Sequence, residues 1–167
     1  AMLEELRERA NRARLTNVRI TNIARAALTG GPVANVRNTN IGPDAELYDG
    51  VLVDAPCSGS GTWRRLPHMK WHTLPETIAQ FAAQQIAILS ANAALVRPGG
   101  VLVYATCSLS HVENHDVAAA FLAAHSDFFA EKPARDFGGR FDGAGTTLLP
   151  ATHDSDGFYV SCLRRQA

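Results

Sequence analysis

No apolar run in this sequence approaches the roughly 20 residues that a bilayer-spanning helix needs. Nor is there a charged-then-apolar N-terminal signal, so the expected compartment is the cytoplasm. Cysteine is scarce. Cys57, Cys107 and Cys162 make an odd number without zinc-ligand spacing, so neither a disulfide framework nor a metal site is expected, and free thiols fit a reducing compartment. A basic excess is also missing: Lys and Arg total 16 and Asp and Glu total 16, where extensive phosphate contact usually leaves a surplus of positive charge. Any nucleic-acid surface is therefore a local patch, or lies on a segment outside this chain. A hydrophobic content of 46% with 19% charged residues over 167 residues is that of one globular domain with a substantial core.

Against that background two cysteine phrases stand out. Tyr48 to Thr62 reads Tyr-Asp-Gly-Val-Leu-Val-Asp-Ala-Pro-Cys-Ser-Gly-Ser-Gly-Thr, and Tyr104 to Ser108 reads Tyr-Ala-Thr-Cys-Ser. Each is a short apolar run, Val51 to Val53 and Val101 to Tyr104, that breaks into small polar residues around a cysteine. That pattern describes a buried parallel strand ending in a loop at its carboxyl edge, which is where open α/β sheets place their ligands. Two cysteines there, one with Asp54 three residues before it and Pro56 directly before it, point to thiol chemistry on a bound substrate. The alternative for any single cytosolic cysteine is a small buried hydrophobe, and that is the reading for Cys162 on the last predicted strand.

The rest of the chain supplies the frame. Residues 2 to 14 form an amphipathic helix with Leu3, Leu6, Ala10 and Ala13 on one face, and with Glu5 to Arg9 and Glu8 to Arg12 in the favourable order. Its arginines either touch phosphates or belong to a solvated, salt-bridged face. Asn17 to Thr21 alternates as a short strand, and Ile23 to Leu47 is an irregular connection broken by turn clusters. Trp63 to His72 is the densest basic and aromatic segment: Arg64, Arg65, Lys70 and Trp71 suit phosphate contact and base stacking, or else the tryptophans plug the edge of the core. Thr73 with Glu76 predicts a capping-box start to a long helix running to Pro98-Gly99-Gly100, and Ser110 with Glu113 predicts another, through about Ala124. For Glu113 the alternatives are a capping residue and a direct catalytic one. Residues 126 to 145 read as a loop, and Thr146 to Leu149 with Gly157 to Leu163 as two strands turning at Thr152 to Asp156.

Asp54-Ala55-Pro56-Cys57-Ser58-Gly59 and Thr106-Cys107-Ser108 resemble the two signature motifs of the S-adenosylmethionine-dependent RNA cytosine-5 methyltransferases, the Sun or RsmB-like family. Lys70-Trp71, Gln84-Gln85, Arg97-Pro98-Gly99-Gly100, Glu113-Asn114 and Asp156-Gly157-Phe158-Tyr159 follow in the family's order, so the resemblance covers roughly Asp49 to Arg165. It implies an α/β fold: a Rossmann-like class I methyltransferase sheet closed by a C-terminal antiparallel hairpin. It implies S-adenosylmethionine as cofactor, an RNA substrate, rRNA or tRNA, and methylation of cytosine carbon 5 through a covalent cysteine adduct. By the same resemblance Cys107 is the nucleophile, Cys57 assists product release, and Asp54 faces both the cofactor and the polar edge of cytosine. Pro56 and Asn22 would contact the cofactor, and Arg64, Arg65, Lys70 and Trp71 the RNA. A DNA cytosine-5 methyltransferase would keep its nucleophile in the Pro-Cys loop and would not need the second phrase.

A glycine-rich loop after a first strand and an acidic residue after a second, which such folds use to hold their cofactor, are not found before Asp54. The expectation is therefore a single partial catalytic domain over residues 1–167, lacking its N-terminal strands, inactive alone and exposing an unpaired strand edge. The competing class is a noncatalytic RNA-binding or assembly module built on the same fold.

Overall fold

The computed structural model describes residues 2–15 and 47–167. The predicted strand at Asn17 to Thr21, the cofactor candidate Asn22 and the connection from Ile23 up to residue 46 lie outside the described residues. The chain divides into two units, residues 1–40 and 41–167. The first contributes helix α1, Met2–Arg12, with acidic side chains in its first turn and basic ones in its last, an arrangement that complements the helix dipole. Glu5 pairs with Arg9 as predicted, and Glu4 pairs with Arg7.

The second unit is built on a six-stranded sheet in the order β1-β2-β6-β5-β4, with β3 also on β6. Strand β1 (Tyr48–Asp54) runs into helix α2 (Pro75–Ala93) and returns as β2 (Val96–Thr106), parallel to β1, with Val53 opposite Tyr104 and Asp54 opposite Ala105. A parallel neighbour requires such a crossover, and α2 supplies it. After helix α3 (His115–Ala124) come β3 (Phe128–Glu131), β4 (Arg140–Phe141), β5 (Thr146–Leu148), the short helix α4 (Pro150–His153) and β6 (Phe158–Arg165). Strand β6 is the spine of the antiparallel half. One of its edges takes β2 over Tyr159 to Arg164; the other takes β5 at Phe158 to Val160 and β3 at Cys162 to Arg165. The expected hairpin is thus present, with α4 in its connection.

The core follows from alternation. On β2 Leu102, Tyr104 and Thr106 are buried while Val101, Val103 and Ala105 are only half-buried, and on β6 Tyr159, Ser161 and Leu163 are buried in the same way. Leu89 of α2 and Val117 and Phe121 of α3 complete the layer above the sheet.

Several expectations need correction. Neither predicted capping box forms. Helix α2 begins at Pro75, whose missing N–H costs nothing in the first turn, and Thr73 donates instead to Met69 O. Ser110 precedes a 3₁₀ turn, His111–Glu113, with no side-chain cap bond, because the Glu113 carboxylate is turned into the interior. The glycine-rich 126 to 145 stretch contains β3 and β4, short strands held by their pairing with β6 and β5. Helix α2 stops at Ala93, before Arg97-Pro98-Gly99-Gly100, which opens β2. Strand β1, whose Val51 to Val53 run was expected to be buried, buries Val53 alone, with Leu52 68% exposed; among the described residues only β2 pairs with it.

Candidate active site

The parallel pairing of β1 and β2 brings the two cysteine phrases out of the sheet side by side at its carboxyl edge. Ala55 N donates to Ala105 O as the last rung between them; the first chain leaves the sheet there and the second after Thr106, which still pairs with Tyr159. Cys57 Sγ and Cys107 Sγ stand 3.4 Å apart, both free and half-buried. Two residues 50 apart in sequence thus form one thiol pair.

What holds the pair is the neighbour of each cysteine. Glu113 is wholly buried, and its carboxylate accepts from four donors: Ser58 N at 2.8 Å and Gln85 Nε2 at 3.2 Å on one oxygen, Ser108 Oγ at 2.7 Å and Ser58 Oγ on the other. These occupy the lone-pair positions that a carboxylate offers. The residues that follow Cys57 and Cys107 are therefore tied to one side chain. Asn114 grips the second loop on both sides of its cysteine, accepting from Thr106 Oγ1 at 2.7 Å and donating to Ser108 O at 2.9 Å. Gln85 also donates to Pro56 O at 2.8 Å, and Tyr104 OH donates to Glu113 O.

Glycine is needed at two points of this clamp. Gly59 adopts φ +68°, the left-handed region, which turns the chain after Ser58. Gly61 N donates to Cys107 O at 2.8 Å and Gly157 N donates to Gly61 O at 3.0 Å, which stitches the first loop to the second and to the start of β6. A side chain at Gly61 would meet the carbonyls of Cys107 and Gly157.

Burial and the hydrogen bond to Cys107 push the Cys57 thiol up to about 12, so at neutral pH Cys57 is a protonated thiol in contact with the Cys107 sulfur. The unfolded chain loses that proton near the ordinary thiol value of 9.0, well below the folded one. Stability contributed by this group is thus complete below pH 9 and falls as pH rises toward about 12. Denaturant midpoints should decline over that interval, and Cys57→Ala should remove part of the decline. Equal declines in both proteins would contradict the assignment.

Among the other predicted site residues, Asp54 ends β1 with its side chain exposed, and Pro56 is exposed beside it. Arg65 and Arg64 are not free cations. Arg65 Nε lies 2.7 and 3.0 Å from the two carboxylate oxygens of Asp156, which its hydrogen bonds hold below the usual carboxylate range, and Arg64 pairs with Asp154 at 3.4 Å. Lys70 lies 6.0 Å from the ring centre of Trp71, which is 80% exposed. Sequence reasoning had no role for Ser58, Gln85 or Ser108 in this site. One available signal was Gln85, a polar residue between Ala82 and Leu89 on the buried stripe of α2.

The sequence profile of the 16S rRNA methyltransferase RsmB/F family matches residues 6–164. A probable ribosomal RNA small subunit methyltransferase B of Synechocystis is 40% identical over 128 residues, covering 74% of this chain and 28% of that protein. The ribosomal RNA small subunit methyltransferase B of Vibrio vulnificus is 40% identical over 134 residues, 80% of this chain and 30% of that protein. The chain thus spans less than a third of the length of these relatives. NSun6 from Pyrococcus horikoshii, whose crystal structure was solved with SFG, superposes with a TM-score of 0.76 at 26% identity over 99% of this chain and 39% of that one. On the profile match and these relatives, the chain belongs to the 16S rRNA methyltransferase RsmB/F family.

Proposed function

We propose that the protein methylates carbon 5 of a cytosine in small-subunit rRNA, with Cys107 as nucleophile, Cys57 as the thiol that helps release product, and S-adenosylmethionine as methyl donor. The observation that carries this reading is the 3.4 Å thiol pair at the carboxyl edge of two parallel strands, held by Glu113. Carbon 5 of cytosine is a poor nucleophile. The Cys107 thiolate forms a bond to carbon 6, the ring's electrons move to carbon 5, and carbon 5 becomes able to attack a methyl group. Transfer of the carbon 5 proton to solvent then restores the double bond with the electrons of the carbon–hydrogen bond, as the carbon–sulfur bond breaks and its electrons leave on Cys107 as a thiolate. The contact between Cys107 and the neutral thiol of Cys57 supports the second role, in which Cys57 donates a hydrogen bond to that leaving sulfur.

The exposed carboxylate of Asp54 and the ring of Pro56 lie together where strand β1 ends, an acceptor beside a rigid apolar ring that suits the hydroxyl groups of the cofactor and the amino edge of cytosine. When bound, S-adenosylmethionine supplies an electrophilic methyl group on a sulfonium. Asp54 orients the base and stabilises its protonated ring. Lys70 and the exposed Trp71 offer a charge for phosphate and a face for a base, while Arg64 and Arg65 reach RNA by exchanging Asp154 and Asp156 for phosphate. No helix among the described residues is long and apolar enough to cross a membrane.

The test uses Cys57→Ala in the full-length protein with small-subunit rRNA and S-adenosylmethionine. Release should fail, and a protein–RNA adduct should persist in denaturing gels. Full activity with no adduct would remove Cys57 from the mechanism.

A further inference from the structure

On the surface side of the turn that carries Glu113, His111 and His115 stand with ring centres 4.7 Å apart, tilted by 32°. Asp116 joins them: its Oδ1 lies 3.0 Å from His111 Nδ1, and one ligand atom from each of the three side chains lies within 4.8 Å of the others. Zinc bonds of about 2.1 Å place neighbouring ligand atoms about 3.4 Å apart, so modest rotations of the exposed His111 and Asp116 side chains close the set. A further carboxylate stands behind. Asp142 Oδ1 is fixed by the backbone amides of Ala144 and Gly145 and lies 3.3 Å from His115 Nδ1, off the line of a hydrogen bond. A carboxylate on one nitrogen of a histidine orients the ring and leaves Nε2 for a metal, the arrangement common to metal-bound histidines. Two imidazoles and one carboxylate select zinc, cobalt or nickel over magnesium or calcium.

We propose that His111, His115 and Asp116 bind a divalent transition metal of the zinc type, with water completing its shell. The site is separate from the thiol pair and does not depend on the reaction assigned to it. Its position gives it a consequence. His111 and His115 flank Glu113 and Asn114, so an ion between them staples the 3₁₀ turn to the first turn of α3 and stiffens the segment from which Glu113 and Asn114 hold both cysteine loops. The spacing of the cysteines excludes a zinc finger but is silent on this His-x-x-x-His-Asp sequence.

The experiment is calorimetric titration of zinc chloride into the chain, with cobalt absorption as a second probe. Because Cys57 and Cys107 are an alternative pair of ligands, the comparison includes Cys57→Ser/Cys107→Ser. The expected result is one equivalent of zinc in the unchanged chain and in the cysteine double variant, with binding at least about tenfold weaker in His111→Ala and in Asp116→Asn. Cobalt should give ligand-field bands without the sulfur charge-transfer band. No saturable binding, or binding that survives in both His111→Ala and Asp116→Asn and disappears with the cysteines, would overturn the proposal. Both variants alter exposed side chains, and circular dichroism of each confirms that the fold is retained.

Discussion

Glu113→Ala is expected to destabilise the chain by about 3 to 5 kcal/mol and to separate the two cysteine loops. Ser58 N and Gln85 Nε2 both lose an acceptor, and a buried donor left unpaired costs about 1 to 3 kcal/mol. Ser58 Oγ and Ser108 Oγ, 3.2 Å apart, can turn toward each other and recover part of their loss. Glu113→Gln keeps the volume and one carbonyl acceptor, so its cost should be nearer 1 to 2 kcal/mol. Urea unfolding measures these differences. The rate at which a mild oxidant joins Cys57 to Cys107 reports on the loops themselves, because sulfurs at 3.4 Å need little movement to bond. That rate should fall in Glu113→Ala even where the protein is still folded. A variant as stable and as readily oxidised as the original would show that Glu113 does not hold the pair.

Gly61→Ala should be nearly as damaging, for a reason of space. An added Cβ would sit 2.2 Å from Gly157 O and 2.8 Å from Cys107 O, and both are backbone atoms that no rotamer change can move. Relief requires the first loop to leave the second, which breaks the bonds from Gly61 N to Cys107 O and from Gly157 N to Gly61 O. Overpacking of this kind costs about 3 kcal/mol. Gly99→Ala is the matched control. Gly99 has φ +74° with nothing within 4 Å of the added atom, so only the left-handed backbone penalty of about 1 to 2 kcal/mol applies. Thermal melting should place Gly61→Ala well below Gly99→Ala. The reverse order would mean that the loops are not stitched together at Gly61.

Local signals made much of this legible. An apolar run that ends in small polar residues marks a strand meeting its loop, and two such runs separated by one long amphipathic helix are a parallel pair. From that, the adjacency of Cys57 and Cys107 follows. Glu113 was out of reach because sequence proximity offers Ser110, three residues away, as its partner, whereas its carboxylate closes on Ser58, 55 residues away, and on Gln85. Strands β3 and β4 escaped for a related reason: four and two residues long, they owe their conformation to β6 and β5 and carry little pattern of their own. Arg64 and Arg65 read as free cations in a basic segment, and only the fold brings Asp154 and Asp156 across to them.

The most direct test of the account is to digest the adduct formed by Cys57→Ala in the full-length protein and identify by mass spectrometry the peptide that carries the nucleotide. A 5-methylcytidine attached to Cys107 is expected. A nucleotide on any other residue, or an adduct that also forms when Cys107 is replaced by alanine, would contradict it.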